Sequence, residues 1–132
     1  MKYMLDTNIC IYIIKKKPAR VISALQKTDI GEICISSITL AELEYGVAKS
    51  NHKEQNQIAL AKFIAPIEIL DFDDQAARIF GTVRATLEKK GKVIGPFDLQ
   101  IAAHALAENL TLITNNEKEF SRVPNLKIRN WL

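Results

Sequence analysis

The sequence predicts an α/β fold: a three-layer α/β/α domain around a central parallel sheet of four to five strands. Two observations predict it. Short β-branched or apolar runs alternate with one or two helical stretches in the order βααβααβααβαβ, and strands joined through helices pair in parallel with both faces covered. Three carboxylates, Asp6 in MLDTN, Glu42 in SSITLAEL and Asp98 in GPFDLQIAAH, each stand where a strand gives way to a helix or where a helix starts. In an open α/β sheet the strand C-terminal ends share one edge, and ligands bind in the crevice there. Acids scattered through the chain can therefore meet.

The elements follow in order. Tyr3-Met4-Leu5 is a short apolar run that reads as a first buried strand. Thr7-Asn8 opens a short helix that Lys15-Lys16-Lys17 and Pro18 end. Residues 18–28 read as a second helix, with Pro18 suited to the first turn. Gly31 breaks it, and Ile33 to Ser36 is a second strand. Ser37 or Thr39 can cap the next helix, which runs to about Ser50. A helix near 53–65 stops at Pro66, and Ile67 to Leu70 is a third strand. Asp73 to Lys90 is a long helix stopped by Gly91, and Gly95-Pro96 starts another that reaches about Asn109. Leu110 to Thr114 is a fourth strand, and Leu126-Lys127-Ile128 a short fifth. Right-handed crossovers are expected between the parallel strands.

At 132 residues the chain reads as one domain, 1–132, able to bury a core without disulfides. No apolar run reaches the roughly 18 residues that span a bilayer, and the MKYMLD start has no signal-peptide layout. Cys10 and Cys34 lack metal or redox spacing and are expected as reduced structural thiols. A cytoplasmic location is the default. The net charge of +3 permits a nucleic-acid partner without demanding one. Lys15, Lys16, Lys17 and Arg20 form one basic patch, and Lys89, Lys90 and Lys92 a second; each is either a solvated helix end or a place for phosphates.

Each chemistry-bearing position also has a local explanation. Asp6 can simply cap a helix. Glu42 lies three residues after Thr39, so T-x-x-E matches a capping box, yet Glu42 shares a mostly apolar helix face with Ile38, Ala41 and Tyr45. Asp98 suits the first turn of a helix, yet it lines up with Ala102 and Ala105, and an unpaired charge on a core-facing stripe is costly. In LITNNEKEF, Asn116 can cap a short helix, with Glu117 and Glu119 on its surface. His52 and His104 read as a solvated and a structural histidine. Carboxylates gathered at one sheet edge repel one another unless a cation sits between them. Their joint placement therefore points to a divalent-metal site.

With these residues in hand, the chain resembles the PIN-domain ribonucleases, and among them the VapC toxins of bacterial VapBC toxin–antitoxin modules. The matching stretches are MLDTNI at 4–9, ISSITLAELEYG at 35–46, GPFDLQIAAHA at 95–105 and LITNNEKEF at 112–120. The resemblance implies a toxic endoribonuclease using Mg2+, with Mn2+ as a substitute. It carries catalytic and metal-site roles onto Asp6, Glu42 and Asp98. The family usually has a further acid where this chain has Asn116; either Asn116 ligates through its carbonyl or orients a water, or Glu119 supplies the charge. Thr7, Ser37 and Thr114 match site-ordering polar positions. The resemblance also implies a VapB-type antitoxin whose C-terminal segment lies over the site, a homodimer, DNA contact through the antitoxin, and structured RNA substrates including the anticodon region of initiator tRNA.

Two rival classes stand beside this reading. A phosphatase would show D-x-D-x-T, but Asn8 occupies the second acidic position; a receiver domain would show an acidic pair near the first strand, where this chain has one acid. A non-enzymatic module on a degenerate nuclease fold would not need Asp6, Glu42 and Asp98 together.

Overall fold

Residues 3–5 and 33–36 are the first two of five strands, and every strand runs parallel to its neighbours in the order β3-β2-β1-β4-β5. The computed structural model describes residues 1–132. The elements are β1 (Tyr3–Leu5), α1 (Thr7–Ile14), α2 (Ala19–Gln26), β2 (Ile33–Ser36), α3 (Ser37–Ala48), α4 (Lys53–Ile64), β3 (Glu68–Leu70), α5 (Asp74–Lys89), α6 (Pro96–Ala107), β4 (Thr111–Ile113), α7 (Glu117–Phe120) and β5 (Ile128–Arg129). The expected order of elements is the observed one, with a 3-10 turn at Ile30–Glu32 added before β2.

The period-2 alternation of strand side chains splits the core into two layers. Met4, Cys34 and Leu112 face one side and pack on Val83 and Leu87 of α5 and on Leu99, Ala102 and Ala105 of α6. Tyr3, Leu5, Ile33, Ile35 and Ile113 face the other and pack on Ile9 of α1, Val21 of α2, Leu43 of α3 and Phe63 of α4. This makes the three-layer α/β/α arrangement. It also places the two cysteines, Cys10 and Cys34, in opposite layers as free, buried thiols. Burial pushes the Cys34 thiol up to about 12 and raises Cys10 as well. Both stay protonated and inert.

Two local expectations are corrected. Pro18 is the N-cap of α2, outside its first turn. Ser36, one residue earlier than expected, caps α3, with its Oγ accepting from the Ile38 amide at 3.1 Å. The caps expected at Ser37 and Thr39 do not form, because those hydroxyls are taken up elsewhere. Gly91, at φ +66°, follows the end of α5 in the left-handed region that favours glycine. The chain reverses there, so α5 and α6 pack along each other as an antiparallel pair. No helix is long and apolar enough to cross a membrane.

The order 3-2-1-4-5 has a consequence for function. From β1 the chain moves outward through β2 and β3, then returns to place β4 on the other side of β1. The sheet therefore has its topological switch point between β1 and β4, where α/β sheets open a ligand crevice. Asp6 and Thr114 are the residues that leave β1 and β4 at that point.

Candidate active site

Asp6 is buried at 4% exposure and joined to donors on both oxygens. Oδ1 accepts from the Ile9 amide at 2.9 Å, so Asp6 does cap α1. Oδ2 accepts from the Thr114 hydroxyl across the switch point. Thr114, fully buried, in turn accepts from the Asn116 amide at 2.9 Å. The capping role and the site role thus coexist in one carboxylate. Burial raises its affinity for a proton, and the Thr114 and Ile9 hydrogen bonds work against that.

Glu42 sits in the middle of α3, half-buried, and makes no capping box with Thr39. Its Oε1 accepts from the Thr7 hydroxyl at 2.6 Å, and Thr39 Oγ1 lies 3.4 Å from that same hydroxyl. Thr7 is the first residue of α1, directly after Asp6, so the α1–α3 contact brings Glu42 to the Asp6 side of the crevice.

Asp98 lies in the first turn of α6, behind a Gly95 N-cap and Pro96. Its stripe partners Ala102 and Ala105 are fully buried, as the spacing predicts. Its carboxyl is pushed up to about 6, first by burial, then by the charges of Glu119, Asp6 and Glu42. Four carboxylates drawn from β1, α3, α6 and α7 therefore act on one another at a single edge of the sheet.

The last segment is resolved by burial. Asn116 precedes α7, but its side chain leaves the helix end uncapped; Nδ2 donates instead to Glu119 Oε2 at 2.7 Å. Glu119 is half-buried and turned toward Asp98, whereas Glu117 is exposed and accepts from Asn130 Nδ2 at 3.2 Å. Of the polar positions expected to order the site, Thr7 and Thr114 contact its carboxylates. Ser37 does not: its Oγ accepts from the Phe72 amide at 3.0 Å, in the loop before α5.

Sequence reasoning missed three contributors. Thr39, read only as a cap, is fully buried beside Thr7. Tyr12 and Asn115 join α1 to the loop after β4 through an Asn115 Nδ2 to Tyr12 OH hydrogen bond of 2.9 Å. Helical spacing offers no signal for a partner 103 positions away. The basic residues divide. Lys15 lines a groove with Glu42 between α1, α3 and α4. Lys90 and Lys92 stand in the α5–α6 turn, a few residues before Asp98. All seven basic side chains are exposed, and the chain's two ion pairs, Arg78–Asp74 and Arg84–Glu88, involve none of them.

The donor set can be tested against a metal. No three of the acidic side chains stand close enough to grip one ion directly. Mg2+-type cations do not require that, because they keep several waters and take one or two carboxylates. The available atoms are all hard oxygens, and the raised Asp98 carboxyl reports negative charge that a divalent cation would neutralise. The residues fit.

Comparison with known proteins gives the same picture. The family model described as PIN domain matches residues 3–126. Ribonuclease VapC2 of Rickettsia felis is 53% identical over 132 residues, spanning 99% of this chain and 98% of that protein. The tRNA(fMet)-specific endonuclease VapC of Shigella flexneri is 46% identical over 131 residues, spanning 99% of this chain and 98% of its own length. The crystal structure of DNA-bound VapBC from Salmonella typhimurium matches with a TM-score of 0.95 at 45% identity, over 100% of this chain and 99% of that one. PIN-domain nucleases are in general dependent on a divalent metal. The chain belongs to the PIN-domain family and, within it, to the VapC ribonucleases.

Proposed function

We propose that the protein hydrolyses phosphodiester bonds in structured RNA with Mg2+, that initiator tRNA is its substrate, and that Asp6, Glu42, Asp98 and Glu119 are the catalytic carboxylates. The observation that carries this reading is the meeting of these four acids at the switch point, where burial first, and then Glu119, Asp6 and Glu42, push the Asp98 carboxyl up to about 6. The tRNA assignment draws on the Shigella relative's specificity for tRNA(fMet).

Asp6, Asp98 and Glu42 would hold the ion, in part through the waters such a cation keeps, with Asn116 as a carbonyl donor or as the group that aims Glu119. A bound divalent cation supplies a water acidic enough to attack near neutral pH and offsets charge on the leaving oxygen. The chain's own residues do the rest. Thr114 and the Ile9 amide fix both oxygens of Asp6. Thr7 aims Glu42. Asp98, its carboxyl pushed up to about 6 first by burial and then by Glu119, Asp6 and Glu42, can take a proton from an attacking water. Lys89, Lys90 and Lys92, with Lys15, Lys16, Lys17 and Arg20, would meet flanking phosphates, giving salt-sensitive binding.

The proposal includes a VapB-type antitoxin. Ile11, Ile14, Leu43, Val47 and Leu60 line a groove that has Glu42 on its wall. An apolar helix face can enter it, while a following arginine pairs with the carboxylates in a bidentate way. DNA contact would come through that antitoxin, as the DNA-bound Salmonella complex suggests. The exposed Val93 and Phe97, at 58% and 56%, favour self-association into a homodimer. Action in the cytoplasm follows from the substrate.

The test is cleavage of initiator tRNA by the purified chain in Mg2+, Mn2+ or chelator, with the cut mapped and elongator tRNAs alongside. Metal-dependent cutting confined to initiator tRNA is expected. Cutting that persists in chelator, or no cutting of any structured RNA, would overturn the reading.

A further inference from the structure

Beside the two buried thiols, the carboxylate site leaves one fully buried ionisable side chain unused, His104 of α6. Its Nδ1 lies 2.8 Å from Ser36 Oγ, a residue 68 positions away. Its Nε2 is buried without a partner. Its ring meets the Phe72 ring edge-on, with centroids 5.6 Å apart at 83°. Ser36 caps α3 by accepting from the Ile38 amide, and Ser37 beside it accepts from the Phe72 amide. His104, Ser36, Ser37 and Phe72 therefore join α6, the β2–α3 junction and the loop before α5 at one point.

The tautomer follows from counting hydrogens. The Ile38 amide is a donor, so the Ser36 hydroxyl keeps its single hydrogen free for Nδ1. In that arrangement only Nε2–H goes unpaired. With the hydrogen on Nδ1 instead, the Ser36 hydrogen and the Nε2 lone pair would both lack partners. Burial lowers the imidazole's affinity for a proton against the pull of Glu108, Asp73 and Asp71, so the ring is neutral and can accept. An apolar residue would fill this place with no unpaired nitrogen. What histidine adds is a directed bond to the first turn of α3.

We propose that His104 is a positioning residue: through Ser36 it fixes the setting of α6, which carries Asp98, against α3, which carries Glu42. Asp98 lies six residues before His104 (104 − 98) and Glu42 six residues after Ser36 (42 − 36). Each carboxylate is thus about 9 Å along its helix from the tie. A small rotation of either helix about that point displaces its carboxylate relative to the other.

The inference rests on the nuclease reading above. Its test is a Mn2+ titration of wild type, His104→Phe, His104→Asn and Ser36→Ala, each with a thermal melt and RNA-cleavage kinetics. Phenylalanine keeps a ring against Phe72 but cannot accept from Ser36; asparagine packs less well but can place an amide oxygen near the Nδ1 position. His104→Phe should weaken Mn2+ binding and lower kcat by about tenfold, the usual size for a group acting behind metal ligands, with KM for RNA unchanged. His104→Asn should recover most of both while melting lower than His104→Phe. Affinity and stability then move in opposite directions, which a purely structural histidine does not produce. Should His104→Phe fail to fold, Ser36→Ala removes the same bond from the other side and should show the same loss of affinity. Wild-type Mn2+ affinity in His104→Phe or Ser36→Ala, or affinities that simply track melting temperature, would overturn the inference while leaving the nuclease reading in place. A wild-type chain that binds no Mn2+ and cuts no RNA would remove both.

Discussion

Asp6 and Asp98 stand at the same sheet edge and burial raises both carboxyls, but the chain gives them different partners. Asp6 is enclosed by donors, with the Ile9 amide on one oxygen and the Thr114 hydroxyl on the other. Asp98 is raised first by burial and then by the acids it faces, Glu119, Asp6 and Glu42. One aspartate is part of the scaffold that joins β1, α1 and β4. The other is held at a cost to the metal-free protein. Two residues sharing a proposed role can therefore have opposite effects on stability, and mutational loss of activity alone would not tell them apart.

The sharpest way to break this contrast is to neutralise each in turn. Asp98→Asn and Asp6→Asn should both lower RNA cleavage by on the order of 10³-fold, the loss of several kcal/mol of metal-supported stabilisation. In metal-free buffer at pH 8, Asp98→Asn should melt a few degrees higher than wild type, because it removes a half-buried charge and the repulsion from its acidic neighbours. Asp6→Asn should melt no higher than wild type, and Asp6→Ala should lose about 1–2 kcal/mol with the cap. Equal stabilisation by Asp6→Asn and Asp98→Asn would erase the distinction.

The second prediction concerns pH. The folded-state Asp98 carboxyl lies at about 6 against an ordinary value of 3.8. A raised carboxyl contributes stability that is fully present below pH 3.8 and lost as pH rises through about 6. The melting advantage of Asp98→Asn should therefore be full above pH 6 and vanish toward pH 4. Mn2+ affinity should run the other way, falling as pH drops through 6, since the cation must displace the proton. Calorimetric melts and Mn2+ titrations across pH 4–8 check both.

The hydroxyls behind the carboxylates sharpen the comparison further. Thr114→Val and Thr7→Val should each reduce cleavage by about 10- to 100-fold. Thr114→Val should be the more damaging, since it strips Asp6 and also leaves the partly buried Asn116 amide without its acceptor. The smallest separation is between the two glutamates of α7. Glu119→Gln should lower activity about tenfold and bring the Asp98 carboxyl down, as an NMR titration would show. Glu117→Gln, exposed and bonded to Asn130, should stay within about twofold of wild type. Equal, mild effects would place the fourth acid outside this segment.

Strand alternation, helix order and the placement of Asp6, Glu42 and Asp98 at one sheet edge were legible in the sequence because each rests on local periodicity or on a residue type at an element boundary. Met4 facing one layer and Tyr3 and Leu5 the other is a two-residue pattern that any parallel strand imposes. The errors share a cause. The Thr39–Glu42 spacing fits a capping box, but Glu42 takes the Thr7 hydroxyl, a partner 35 positions away. Asn116 fits a cap, but its amide turns to Glu119. Ser37 fits an ordering role, but its hydroxyl goes to Phe72. Each polar side chain had a good local option, and tertiary packing supplied a better one. His104 was legible as structural and illegible as a tie to Ser36, since nothing local relates them.

The bond between Asp6 and Thr114 joins residues 108 positions apart. A chain still being synthesised carries Asp6, Glu42 and Asp98 before β4 is made, and β1 keeps one bare edge until Thr111–Ile113 arrives beside it. Contacts of such long range form late and slowly. The aspartate at the centre of the crevice thus gains its second donor only near the end of translation, and the nascent polypeptide carries its acids without their geometry. For a ribonuclease, that ordering delays the assembled site until the chain is nearly complete. A chain stopped at Asn109 should bind no Mn2+ despite retaining all three principal carboxylates.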